Sequence, residues 1–100
     1  MSKMKVSVPH NLGEGEAVRR VSSLIQELKN QFGSQVTDVR ESWNGNRGVF
    51  SFRAMGMAVD GELSVHPSKV EVEGNLPLAA LPFKGTIEST IRNKLENLLS

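Results

Sequence analysis

The apolar positions of this chain change their period twice. Met4, Val6 and Val8 alternate with Lys3, Lys5 and Ser7, the two-residue repeat of a strand buried on one face, and Pro9 stops it. A turn over His10-Asn11-Leu12-Gly13 follows, and Asn11 with Glu14 three residues later has the form of a capping box. Ala17, Val21, Leu24, Leu28 and Phe32 then step by four, three, four and four, with Ile25 widening the stripe. That spacing predicts one helix from about Glu14 to Gln31 or Phe32, ended by Gly33.

From Val36 the alternation returns and lasts about forty residues. One strand runs from Val36 to Trp43 and meets Asn44-Gly45, a type I′ hairpin signal. A second runs from Arg47 to Met55, with Phe50 and Phe52 on one face. Gly56 allows a reversal, and Met55 and Met57 beside it read as core plugs. A third strand, Met57 to Val65, turns Val59, Leu63 and Val65 inward, with Gly61 as a candidate bulge. His66-Pro67-Ser68 makes the next turn, and Val70, Val72 and Leu76 carry the fourth strand of the run. Connections this short join antiparallel neighbours.

Ile87, Ile91, Leu95 and Leu98 recur at four, four and three, the stripe of a C-terminal helix that starts between Pro82 and Thr86. The element order is therefore β-α-β-β-β-β-α, an α+β fold. The sheet face bearing Arg53, Glu62, Glu71 and Glu73 is polar, so both helices are expected on the other face. The expected object is a curved antiparallel sheet gripping the C-terminal helix, a reduced helix-grip arrangement; a flatter two-layer sandwich shares the same order.

Composition narrows the function classes more than it selects one. One hundred residues without a linker predict a single domain over 1–100. Twelve basic residues against eleven acidic ones leave a net charge of +1, which does not build the basic patch of a nucleic-acid binder. The absence of cysteine removes thiolate catalysis and cysteine metal sites. No apolar run follows the charged start, so neither a signal peptide nor a membrane span is expected, and the cytoplasm is the expected address.

Candidate chemistry is sparse. His10 and His66 alone are too few for a zinc site, which needs three or four converging ligands. Asp60 with Glu62, and Glu71 with Glu73, share a sheet face, where Lys69, Arg40 and Arg53 are the expected partners. There is no G-x-S-x-G, and Val18 stands where a phosphate-binding glycine motif opened by Gly13 and Gly15 would need its third glycine. No catalytic residue, metal or cofactor is predicted.

Several segments together resemble the polyhydroxyalkanoic acid system family, small bacterial proteins named for an association with polyhydroxyalkanoate granules. They are His10-x-Leu12-Gly13, Trp43-x-Gly45, Val59-Asp60-Gly61, and above all Pro82-Phe83-Lys84-Gly85-x-Ile87-Glu88 with Ile91, Leu95 and Leu98-Leu99 after it. The resemblance implies a granule-associated or regulatory protein without enzymatic activity, and brings no catalytic residues. Its implied partners are the granule surface or a granule protein.

The contrasting expectation is a small carrier or enzyme that holds an acyl or lipid-like molecule between sheet and helix. Against it, Trp43, Phe50, Phe52, Val72, Ile87, Ile91 and Leu95 are all needed to fill so small an interior, leaving little to line a pocket. The segment Leu76 to Phe83 contains two prolines and is otherwise apolar, where an ordinary connection is polar. Either Leu76, Leu81 and Phe83 plug the end of the sheet, or Leu78 and Leu81 stay exposed as an apolar patch. The candidate contact surface is Leu78, Leu81 and Phe83, facing a polymer surface or a second copy in a homodimer.

Overall fold

Five alternating segments each offer one apolar face, and together they can bury it only as a single sheet under the helices. In the computed structural model, which describes residues 2–54 and 56–100, the strands are β1 (Ser2–Pro9), β2 (Val36–Asn44), β3 (Arg47–Ala54), β4 (Met57–Val65) and β5 (Lys69–Leu76). They form one antiparallel sheet in the order β1-β5-β4-β3-β2. Four strands are a meander, and β1 adds to its far side with Val6 opposite Val72 and Val8 opposite Val70. Met55, expected as a core plug, lies outside the described residues.

The inner face carries Met4, Val6 and Val8 of β1, Val70, Val72 and Leu76 of β5, Leu63 and Val65 of β4, and Phe50 of β3, all buried. Gly61 is no bulge. It pairs in unbroken register with Phe50 and Gly74, because a side chain there would meet the Glu73 carbonyl oxygen at 2.4 Å and the Phe50 ring at 2.8 Å. Gly61 and Gly74 face each other across β4 and β5, and their missing side chains leave room for the Phe50 ring and the Met4 side chain against the sheet. The irregularity sits instead on the edge strand β2, between Thr37 and Arg40, where Asp38 takes a φ of 53°.

The hairpin between β2 and β3 also differs from expectation. Its central residues are Gly45 and Asn46, and only Gly45 has a positive φ, 62°, the pattern of a type II′ turn. Asn46 gains a second role there, as its side-chain amide donates to the Val65 carbonyl at 2.8 Å and locks the hairpin to the end of β4.

The first helical stripe is folded as two helices, α1 (Glu14–Val21) and α2 (Leu24–Phe32), rather than one. The break falls at Ser22-Ser23, whose hydroxyls donate to the Arg19 and Arg20 carbonyls at 2.8 and 2.9 Å. Serine side chains compete for helical carbonyls in this way and bend the chain. The capping box is absent: Gly13 is the residue before α1 and no side chain caps it. Instead the Leu12 amide donates to His10 Nδ1 at 3.1 Å, and His10 Nε2 lies 2.9 Å from the His66 carbonyl, so the buried imidazole joins the start of α1 to the β4–β5 turn.

The C-terminal helix α3 (Lys84–Leu99) buries Leu95 and Leu99 fully, while Ile87, Ile91 and Leu98 are half-buried. Arg20 ties α1 to its end, its guanidinium donating to the Leu98 and Ser100 carbonyls at 3.4 and 2.8 Å, and Arg92 reaches the Ser7 carbonyl on the β1 edge at 3.3 Å. Both helical segments therefore cover one sheet face, gripped most tightly at the α1 and Leu95–Leu99 end.

Candidate functional site

Because α1 is fastened to the end of α3 while α2 turns away after the serine break, the helices spread over the opposite end of the sheet. An apolar cleft of about 330 Å³ opens there. From α2 it is lined by Ile25, Leu28 and Phe32, and from α3 by Thr86, Ile87, Thr90 and Ile91. The sheet contributes Val36, Phe52, Ala54, Met57, Val59 and Leu76 as its floor. Leu76, Ala80 and Ile25 are buried at its base, whereas Phe32, Gln35, Phe83 and Thr86 are exposed and form its mouth.

This cleft overturns the expectation that the interior has no room to spare. Phe52, Ile87 and Ile91 are apolar residues at core spacing, yet they are only partly buried and line the opening. Its volume sits at the lower end of the range of small-ligand sites, roughly 300–1,000 Å³.

The segment before α3 supplies one side of the mouth. Leu78–Phe83 is a 3-10 helix with Pro82 inside it, running directly into α3. At three residues per turn, Leu78 and Leu81 fall on the same side. They are 69% and 39% exposed, and Phe83 is 54% exposed, while Ala80 turns inward to the cleft with Leu76 below it. Leu76 thus plugs the end of the sheet; of the candidate contact surface, Phe83 lines the cleft mouth on the side of Ala80, whereas Leu78 and Leu81 form an exposed apolar ridge on another side of the 3-10 helix, outside the cleft lining.

Charged groups lie on the other sheet face. Glu71 meets Lys5 at 3.3 Å and Lys69 at 3.8 Å, and its Oε1 lies 3.0 Å from His66 Nε2. Glu73 shares Lys5 at 3.8 Å, Arg47 pairs with Glu62, and the Asn75 amide donates to Asp60 at 2.9 Å. Of the three expected partners only Lys69 takes up the role; Arg53 instead donates to the Gly56 carbonyl at 3.0 Å. These carboxylates are matched surface charges. Among the described residues no three His, Asp or Glu side chains converge as metal ligands.

The ion pairs predict an acid response. Hydrogen bonds from Arg19 and then Arg20 hold the Glu16 carboxyl at about 2, against 4.5 for a free one, and Lys5 lowers that of Glu71. A carboxyl lowered by folding stabilises the native state above its unfolded value and loses that contribution as pH falls through its folded one. The urea midpoint is therefore expected to fall between about pH 4.5 and 2. Glu16→Gln should flatten that decline, and a variant whose profile overlays the parent would refute the assignment. The effect is small, since both arginines and both carboxylates are reached by solvent.

Fold and site together define a small α+β protein in which an antiparallel sheet, covered on one face by helices, holds an open apolar cleft. The family described as "Putative polyhydroxyalkanoic acid system protein" matches residues 4–99, and the chain belongs to it. No curated protein sequence matches the chain. Among solved structures, PA4090 from Pseudomonas aeruginosa is similar in fold, with 16% identity, 98% of this chain and 84% of that one covered, and a TM-score of 0.55. Ara h 8.0201 matches more weakly, at 10% identity over 98% and 97% of the two chains with a TM-score of 0.45. Among the described residues no helix is long and apolar enough to cross a membrane.

Proposed function

We propose that this chain is a non-enzymatic cytoplasmic protein that attaches to polyhydroxyalkanoate granules, using the ridge of Leu78 and Leu81 together with Phe83 and the cleft that it lines. The observation that carries this reading is that the segment with the exposed Leu78 and Leu81 also supplies Phe83 and Ala80 to the lining of an apolar cleft of about 330 Å³ at one end of the sheet. Exposed apolar area that is contiguous, rather than scattered, marks a contact site. Membership of a family described by polyhydroxyalkanoic acid favours a hydrophobic polyester as the partner. Among the described residues no acidic or basic side chain lines the cleft.

The Leu78→Ser, Leu81→Ser double variant tests the reading by sedimentation with polyester granules. Because both side chains are exposed, its melting temperature should stay within a few degrees of the parent while the pelleted fraction falls several-fold. A large loss of stability with unchanged pelleting would sink it. Light scattering on the same samples separates a polymer contact from a homodimer, since loss of dimer mass in the variant would assign the ridge to a second copy.

The depth of the cleft favours a second reading, a carrier that encloses one acyl or lipid-like molecule. Native mass spectrometry of protein purified from its source distinguishes the two, because a carrier co-purifies with an acyl species.

A further inference from the structure

We propose that the cleft admits a hydroxyalkanoate unit in its esterified form and turns away the free acid, so that the protein separates polymer and oligoester from monomer; this rests on reading the cleft mouth as the polyester-facing surface. The first support is the chemistry of the lining. Beside its apolar residues the cleft has, among the described residues, three polar side chains, Gln35, Thr86 and Thr90, and no Lys, Arg or His. An ionised carboxylate brought inside would lose its hydration without gaining a counter-charge, an outcome that strongly disfavours entry. Within the polymer, both the hydroxyl and the carboxyl of each unit are tied up in ester bonds, so the unit is neutral.

The second support is where the polar groups stand. The Thr90 hydroxyl donates to the Thr86 carbonyl at 2.9 Å and is spent on its own helix. Gln35 and Thr86 are exposed residues of the lining, and both side chains are donors that suit an ester carbonyl while the alkyl part lies on Ala80, Ile87 and Val59. The start of α3 does not replace a missing cation. It continues from the 3-10 helix, and the Lys84 amide is already bonded to the Leu81 carbonyl.

The third support is size. A cavity of roughly 150 Å³ takes benzene, so 330 Å³ has room for roughly a dozen carbon atoms. That fits one alkyl-bearing unit and its ester rather than a folded stretch of polymer.

The test follows the backbone amide NMR signals of Ala80 and Ile87 at neutral pH with four probes: free hydroxydecanoate, its methyl ester, the methyl ester of its linear dimer, and plain methyl decanoate. Both hydroxydecanoate esters should bind at least about tenfold more tightly than the free acid, a difference of about 1.4 kcal/mol. The dimer ester should bind at least as well as methyl decanoate. The Gln35→Leu, Thr86→Val double variant should keep its fold and bind every ester, methyl decanoate included, several-fold more weakly, since each offers the same carbonyl to these two donors. Equal binding of acid and ester would overturn the proposal. Tightest binding of methyl decanoate would also overturn it, assigning the cleft to simple lipid esters. If no probe shifts these signals while the protein still pellets with granules, the ester proposal fails and the granule reading stands. Ester-selective shifts without pelleting uphold ester selectivity and sink the granule reading.

Discussion

Leu95→Ala is expected to lower the melting temperature by about 8–40 °C. Leu95 is wholly buried and packs in the main core with the β1 and β5 valines and with Ala17 and Val21 of α1. Truncating such a leucine costs about 2–5 kcal/mol, the spread reflecting how far the surroundings can close the gap. For a chain of this length each kcal/mol moves the midpoint by about 4–8 °C. Closure is poor here, because Arg20 and Arg92 pin α3 to α1 and to the β1 edge on both sides of the site. Asn93→Ala, on the exposed side of the same helix, serves as the control and should change stability by less than about 0.5 kcal/mol. A Leu95→Ala protein that melts with the parent would mean that α3 does not close the core.

The second large effect is Gly61→Ala. Replacing glycine by alanine ordinarily stabilises by about 0.4–1 kcal/mol through the unfolded chain. At Gly61 the sign reverses, since the new Cβ would stand 2.4 Å from the Glu73 carbonyl oxygen and 3.1 Å from the Gly74 Cα. Those atoms are backbone of the adjacent strand, so relief requires β5 to move out of its ladder with β4. Overpacking of this kind costs about 1–3 kcal/mol, and backbone obstruction puts the site at the upper end. Gly15→Ala in α1, with open space around its Cβ, should go the other way by about 0.5–1 kcal/mol. Urea midpoints of the two variants moving in the same direction would contradict the strand register.

What the sequence makes legible is period and sidedness. Met4, Val6 and Val8, or Val70 and Val72, can bury one face only as strands, and Ile87, Ile91 and Leu95 only as a helix. Short connections then force the antiparallel meander. Distance between layers is not encoded in that pattern. Phe52, Ile87 and Ile91 have the spacing of core residues, and only the spread of the helices makes them cleft walls. The spread begins at Ser22-Ser23, which a stripe count passes over because Val21 and Leu24 keep their spacing across the break. Gly61 misleads for a related reason: a strand glycine signals either a bulge or a close approach, and only the position of the Glu73 carbonyl decides between them. The segment from Leu76 to Phe83 stands out by its prolines and its apolar content, but which residues turn inward depends on the three-residue turn it adopts.

The claim that the cleft itself binds polyester is tested most directly by filling it. Thr90 is half-buried on the α3 wall and its hydroxyl serves only the Thr86 carbonyl, so Thr90→Trp can project a large ring into the opening without displacing the buried core. The measurement is the fraction of folded protein that sediments with polyester granules, with the melting temperature taken on the same preparation. The midpoint should stay within a few degrees of the parent while sedimentation falls several-fold. Full sedimentation by a folded Thr90→Trp protein would contradict it.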